Sequence, residues 1–271
     1  MAKQNFSNFT DLIWTVTEDG IFKEDLSFEF HSFVLLISGE LKVVQADRTY
    51  VFGEESMLLF PRNQLSTVIK QPKDGRPYRA VVFGLRLDRL KTFYSKDRPN
   101  LTSPPDSSVR VLKKQPLLDS FFSSVLPYLE LDGPLPESLA RLKLEEAISV
   151  LRIVEPGIDS VLADFSEPGK INLVEFMEKH YKFNMPLEKF AYLTGRSLST
   201  FIRDFKKAFQ VTPQRWLTKK RLELAHFQLS KKEKKAAEVY METGFENLSH
   251  FSFAFKKHFG YSPSQIIASL G

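Results

Sequence analysis

Apolar positions change their spacing along this chain. Up to about residue 87 they come in short runs with a period near two. From residue 115 onward they recur every three or four residues. Residues 1–30 alternate loosely and are expected to enter a sheet. Residues 31–44, HSFVLLISGELKVV, predict two strands about a tight turn at Ser38-Gly39-Glu40. Residues 49–52, 56–60, 65–70 and 78–87 continue the strands. Glycine- or proline-bearing turns separate them at 53–55, 61–63 and 72–77. Short strands at close spacing suggest a barrel or a sandwich.

The helical part begins after a Pro- and Ser-rich stretch, residues 98–106, that reads as a loop. Residues 115–131 carry one apolar stripe: Leu117, Leu118, Phe121, Phe122, Val125, Leu126 and Leu129. Gly133-Pro134 breaks the pattern. Residues 136–154 carry another stripe, with Leu139, Leu142, Leu144, Ile148 and Leu151. Two Pro-Gly pairs, 156–157 and 168–169, bracket a linker that holds a short helical run at 158–165. Asn172 then caps a helix reaching Tyr181, with Glu175 placed for a capping box.

The strongest signal is a repeat. LSTFIRDFKKAFQVTP, residues 198–213, returns as LSHFSFAFKKHFGYSP, residues 248–263, at an offset of 50 with eight identical positions. Phe201, Phe205 and Phe209 fall on one helical face, and Lys206 and Lys207 lie off it. Before the first copy, Pro186 opens a helix with an apolar stripe (Leu187, Phe190, Ala191, Leu193). Gly195 stops it and Ser197 caps the next. Before the second copy, residues 236–247 end on Gly244 as the stop and Asn247 as the cap. Two helices joined by a short glycine turn form a helix-turn-helix, and the chain holds two of them.

Residues 171–265 resemble the DNA-binding domain of the AraC/XylS family of transcription regulators. The likeness is carried by Ala191, Gly195, Ser197, Phe201, Arg203, Phe205, Pro213, Arg221, Leu222 and Ala225. The second half adds Gly244-Phe245, Ser249, Phe251, Phe255, Gly260 and Pro263. The resemblance implies seven helices, with Thr212-Pro213 opening a long helix between the motifs. VLLISGELKV and MLLFPRNQL resemble, more weakly, the cupin-like sensory barrel of such regulators. The implied fold is α+β in two domains: an N-terminal cupin-like β-barrel with a helical hairpin, and a C-terminal all-α tandem helix-turn-helix. Their bounds are 1–155 (sensing and dimerisation), 156–169 (linker) and 170–271 (DNA binding). Duplex DNA and RNA polymerase are the implied partners, with a small-molecule or protein effector. The hairpin either makes a homodimer or simply covers the barrel.

Charge supports this division. From Lys170 onward there are 18 Lys and Arg against 9 Asp and Glu, while the rest of the chain holds 20 against 24. A basic half beside an acidic one suggests that only the former meets a polyanion. The chain has no cysteine, which excludes disulfide and thiolate chemistry and fits a reducing cytoplasm. No apolar signal core opens it, and no membrane contact is expected. His31 is the lone histidine of residues 1–169, too few for the usual two- or three-histidine cupin metal site. It lines the barrel or ends a strand, or else serves as a ligand. No Gly-rich phosphate loop and no GxSxG occurs, so no catalytic residue, cofactor or metal is expected.

Around the repeat, the expected DNA-contacting residues are Arg196, Ser197, Ser199, Thr200, Arg203, Lys206 and Lys207. In the second copy they are Asn247, Ser249, His250, Phe253, Lys256 and Lys257. Arg203 suits guanine O6 and N7, with phosphate contact or a pair with Asp204 or Glu188 as the other reading. The lysines suit phosphates, which position the protein without specifying a sequence. Two residues depart from the family pattern. Arg196 stands where an apolar residue is usual, adding a phosphate contact or altering the turn. Phe253 holds the position equivalent to Arg203. Activator and repressor both remain open. So does a regulator that binds an effector or a protein while its DNA-binding domain is degenerate.

Overall fold

The protein is described here by a computed structural model that covers residues 6–7, 12–46, 48–101, 108–130, 135–231 and 235–269. It divides into two compact units, Met1–Ser166 and Glu167–Gly271.

The first unit holds ten strands: β1 (Phe6–Ser7), β2 (Ile13–Glu18), β3 (Phe22–Ser27), β4 (His31–Ser38), β5 (Glu40–Val44), β6 (Thr49–Phe52), β7 (Met57–Phe60), β8 (Leu65–Gln71), β9 (Tyr78–Leu85) and β10 (Arg110–Leu112). They form two antiparallel sheets, β1-β2-β9-β4-β7-β10 and β3-β8-β5-β6. The cupin-like barrel expected from sequence thus takes the form of two sheets. Val34, Leu36, Leu58, Phe60, Ala80 and Val82 from the larger sheet meet Leu41, Val43, Phe52 and Val68 from the smaller.

The alternate positions of the larger sheet, Phe33, Met57, Leu59, Val81, Phe83 and Leu85, face a second core. That core is roofed by α2 (Pro116–Val125) and α3 (Glu137–Val154), and the rings of Phe121 and Phe122 lie 5.5 and 4.5 Å from that of Phe33. A strand covered on both faces needs apolar residues at every position. This is why β7 reads MLLF and is buried throughout.

The turn at Ser38-Gly39-Glu40 is present, but the strands beside it do not pair with each other. β4 pairs with β7 and β9, and β5 with β6 and β8, so the turn carries the chain between sheets. Gly39 has φ 81°, and a Cβ there would stand 2.7 Å from Tyr78 Cα and 2.8 Å from the Gln71 carbonyl oxygen. The glycine is required both by conformation and by the neighbouring crossover.

Helix α1 (Leu87–Tyr94) and strand β10 were not foreseen from sequence. The helix expected over 115–131 closes as a 3-10 turn, Leu126–Glu130, after α2. The Gly133-Pro134 break and most of the 98–106 loop lie outside the described residues. Most of the two apolar stripes is spent inside the unit: Leu118, Phe121, Phe122, Val125, Leu144, Ile148 and Leu151 are buried, while Leu117, Leu126 and Leu142 are exposed.

The stretch expected to begin the linker packs into this same unit. Ile158, Val161 and Leu162 are buried, and α4 (Asp159–Leu162) is held by the Asp159 carboxylate. That carboxylate accepts from Tyr94 Oη at 2.6 Å, the Asn100 amide at 2.7 Å and Arg152 Nε at 2.9 Å.

The second unit is seven helices: α5 (Leu173–His180), α6 (Leu187–Leu193), α7 (Leu198–Phe209), α8 (Pro213–Ser230), α9 (Ala236–Glu242), α10 (Leu248–Phe259) and α11 (Pro263–Ser269). Asn172 caps α5 by accepting from the amides of Val174 and Glu175. The Glu175 carboxylate accepts from Lys179 at 2.8 Å. Helix α8 spans its 18 residues, about 27 Å at 1.5 Å per residue. It serves both halves: Trp216 packs against Phe205 and Phe209 of α7, and His226 against Phe255 and Phe259 of α10.

Candidate nucleic-acid interface

Each helix-turn-helix is built around a Thr-Gly pair. Thr194 and Thr243 are fully buried at the ends of α6 and α9. The Thr194 hydroxyl donates to the carbonyls of Phe190 and Ala191 at 2.9 Å, and that of Thr243 to Val239 at 2.8 Å and Tyr240 at 3.2 Å. These bonds satisfy carbonyls that a helix C-terminus leaves orphaned. Glycine then takes the left-handed conformation, φ 66° at Gly195 and 85° at Gly244. The second turn is one residue longer, so the glycines are offset by 49 while the helices after them are offset by 50. The recurring Thr-Gly pair is the signal that sequence reading passed over.

Helices α7 and α10 then start on their predicted caps. Ser197 Oγ accepts from the Thr200 amide at 3.3 Å, and Asn247 Oδ1 from the His250 amide at 2.7 Å. From Phe201 and from Phe251 the two helices show the same sequence of buried, intermediate and exposed residues over ten positions. Phe201, Phe205, Phe251 and Phe255 are fully buried. Burying each such ring contributes about 1.5–3 kcal/mol, which fixes the inward face and therefore the outward one.

The outward faces collect most of the predicted residues. Ser197, Ser199, Arg203, Lys206 and Lys207 are exposed on α7 and Thr200 is half-buried. Asn247, Ser249, His250, Phe253, Lys256 and Lys257 are exposed on α10. The Ser197 hydroxyl lies 3.2 Å from that of Ser199 and 3.0 Å from that of Thr200, so the first turn of α7 presents three clustered hydroxyls. Lys206, Lys207, Lys256 and Lys257 make no ion pair among the described residues. Arg203 meets Asp204 only at 3.5 Å, and its side chain is 76% exposed.

Arg196 is the exception. Its side chain is only 7% exposed. It donates to Asp204 Oδ2 at 3.1 Å and to the carbonyls of Ile171 at 3.1 Å and Thr194 at 2.6 Å. The expected phosphate contact is therefore corrected: the guanidinium is consumed inside the unit, pinning the turn to the chain ahead of α5. Its hydrogen bond to Asp204, helped by Lys170 and Arg203, holds that carboxyl below its ordinary range.

Arg221 of α8 is a second internal pin, whose role as a tie was not anticipated. It donates to the carbonyls of Tyr181 at 2.9 Å, Phe183 at 2.8 Å and Gly244 at 3.0 Å, so the connection after α5 and the turn of the second motif share one side chain. A Cβ at Gly244 would stand 2.4 Å from the Lys182 carbonyl oxygen.

Elsewhere, His31 is buried, and its Nδ1 accepts the Arg62 amide at 3.2 Å. Among the described residues no group of three or more His, Asp or Glu is placed to hold a metal ion, and no helix is long and apolar enough to cross a membrane.

A helix-turn-helix domain family matches residues 190–269, and the ExsA N-terminal regulatory domain matches residues 31–151. The virulence regulon transcriptional activator VirF of Yersinia enterocolitica is 25% identical over 237 residues, covering 85% of this chain and 86% of VirF. The HTH-type transcriptional regulator ExsA of Pseudomonas aeruginosa is 28% identical over 237 residues, covering 85% of this chain and 84% of ExsA. Among solved structures, apo ToxT from Vibrio cholerae aligns over 98% of this chain and 100% of its own, with a TM-score of 0.46 and 13% identity.

Proposed function

The chain belongs to the AraC family of DNA-binding transcription regulators, and from that membership we propose that it activates transcription by placing α7 and α10 in the major groove of its operator. The supporting observation is the shared burial pattern of the two helices, which turns one polar and cationic face of each outward. Arg203 reads a base edge, Ser197, Ser199, Thr200, Asn247, Ser249 and His250 contact phosphates or bases, and the four lysines contact phosphates. Phe253 offers apolar contact to a thymine methyl group.

Residues 1–166 act as the regulatory part. A small molecule or a partner protein sets their state, a second copy completes the dimer, and RNA polymerase is the downstream partner. VirF is itself named as an activator of a regulon, which favours activation over repression. The compartment is the cytoplasm.

Footprinting of the full chain on genomic DNA, followed by binding titrations at several salt concentrations, tests this reading. Each neutralised phosphate contributes about −0.9 to the slope of log K against log salt. A steep slope with a defined footprint supports it. Absence of binding at low salt would leave a regulator whose DNA-binding half is degenerate.

A further inference from the structure

The two sheets of the first unit do not close on each other along β3, the edge strand of the smaller sheet. There a cleft of about 440 Å³ opens between their inner faces. That volume falls in the ordinary range of small-molecule sites, about 300–1,000 Å³. Its walls are unevenly finished. Trp14, Val16, Leu26 and Phe28 pack against the inter-sheet core yet remain only partly buried. Apolar groups left half-covered on a concave surface gain free energy when an apolar body fills it.

One charge sits inside this cleft. The register places Lys70 of β8 opposite Phe22 and Leu41, on the inner face of the smaller sheet. The Lys70 side chain is 9% exposed, and its Nζ lies over the Phe22 ring at 5.0 Å. Its ion-pair partner among the described residues, Glu24, stands off at 4.0 Å, beyond hydrogen-bond length. Burial pushes the Lys70 ammonium below its ordinary range, with Glu24 and Glu18 opposing the shift. A methionine would fill this position without the desolvation cost of an ammonium group, so packing alone does not account for a lysine here. At the other end of the cleft, the Ser27 hydroxyl is buried and has no hydrogen-bond partner. From the Leu26–Ser66 pair to the Phe22–Lys70 pair is four residues along β8, about 13 Å at 3.3 Å per residue.

We propose that this cleft binds an elongated apolar molecule bearing a single anionic group, with the anion on the Lys70 ammonium and the apolar body running along β8 toward Ser27. The sign of the ligand charge follows from which charge is trapped. The Glu24 side chain, on the edge strand, is 28% exposed and turns out to water when the anion arrives. Glu29 at the rim is exposed already. Lys70, on an inner strand flanked by β3 and β5, has no such exit. The proposal rests on the reading of residues 1–166 as a regulatory unit, and it names the chemistry of the effector.

The test uses the full chain with no DNA present, so its failure leaves the DNA-binding reading untouched. Three probes of like length are titrated by calorimetry below their micelle concentrations: decanoate, decanol and decyltrimethylammonium. Trp14 lines the cleft, and its fluorescence, assigned with Trp14→Phe, reports where they bind. Decanoate is expected to bind most tightly. Lys70→Met is expected to weaken decanoate about tenfold or more, the weight of one hydrogen bond to a charged group, and to leave decanol unchanged. Glu24→Gln, which removes the competing carboxylate, is expected to tighten decanoate. Preference for the cationic probe, unaltered decanoate affinity in Lys70→Met, or no saturable binding of any probe would overturn the proposal.

Discussion

Phe253 stands in α10 where Arg203 stands in α7, and both side chains lie open: the arginine side chain is 76% exposed and the phenylalanine 69%. Neither belongs to the cores formed by the neighbouring phenylalanines, so neither has a packing reason to be what it is. An arginine on guanine is worth about 1–3 kcal/mol of discrimination, whereas a phenyl ring offers only apolar contact to a thymine methyl. Arg203→Ala is expected to flatten base preference in one half of the site, and Phe253→Ala to do less. Because both positions are exposed, the stability cost of each is within about 0.5 kcal/mol. Selection from a randomised site, with circular dichroism as the folding control, decides between them. Greater relaxation by Phe253→Ala would reverse the assignment.

Arg196 makes the opposite prediction. Its guanidinium is tied to Asp204 and two carbonyls, so Arg196→Ala strands a partly buried carboxylate. The expected cost is about 1–3 kcal/mol in urea unfolding, with no change in the salt slope of DNA binding. Lys206→Ala and Lys207→Ala are expected to do the reverse, each lowering the slope by about 0.9 at unchanged stability. A slope change in Arg196→Ala at unchanged stability would return it to the DNA surface.

His31 links the β4 edge to the end of the first unit. It accepts the Arg62 amide, and the Arg62 guanidinium donates to the carbonyls of Asp164 at 2.9 Å and Ser166 at 2.5 Å. Burial, aided by the Arg62 charge and opposed by Asp164, pushes the imidazole down to about 3 from an unfolded value of 6.5. A folded value below the unfolded one means that the unfolded chain binds the proton first. The contribution of His31 is therefore fully present above pH 6.5 and is lost as pH falls toward 3, with a slope approaching about 1.4 kcal/mol per pH unit. Between pH 6.5 and 5, where few carboxylates titrate, His31→Gln is expected to flatten the unfolding free energy against pH. An unchanged profile in that window would refute the assignment.

What could be read ahead of the structure follows the physics of each signal. Phe201, Phe205 and Phe209 with their copies announce a helix and its buried face, and Ser197, Asn247 and Asn172 announce where helices start. All of these are local rules that packing here obeys. Gly39 shows the limit: alternation on either side predicts strands but carries no record of which strand each pairs with. Arg196 shows another. An arginine beside a turn looks the same whether it meets a phosphate or a buried aspartate, and only the approach of Asp204 and the Ile171 carbonyl decides. Thr194 and Thr243 were legible as a recurring pair, but a hydroxyl folded back on its own helix resembles any polar surface residue. Helix α1 has only eight residues, two of them buried, too little pattern to separate it from the strand before it.

The outer face of α3 bears on assembly. With most of its stripe spent on the larger sheet, Leu142 and Ile153 remain outside, 53% and 65% exposed. They are eleven residues apart, three turns, and so lie on one side of the helix. If this face carries the dimer, Leu142→Asp with Ile153→Asp is expected to shift the full chain to monomer in light scattering without loss of stability. A wild-type chain that is strictly monomeric at high concentration, or a dimer that survives both substitutions, contradicts it.

Arg221 sets how the two motifs act together. Its three donors hold the carbonyls of Tyr181 and Phe183 after α5 and of Gly244 in the turn before α10. The two recognition helices are thereby locked at one separation along α8, so an operator with both half-sites in register is met without reorganisation. The second contact is then effectively intramolecular. Lysine at 221 keeps the charge but cannot reach three carbonyls in a fixed fork. Arg221→Lys is expected to cost about 1–3 kcal/mol in urea unfolding, since at least one buried carbonyl loses its donor. Affinity for a duplex carrying both half-sites is expected to fall more than affinity for one whose second half is scrambled. Fluorescence anisotropy on the two duplexes gives that ratio for each protein. If folded Arg221→Lys keeps the wild-type ratio, the motifs act as independent modules and the arginine is only a packing residue. If the ratio collapses toward one while the scrambled duplex is bound as before, the guanidinium is what makes two helix-turn-helix units into one reading head.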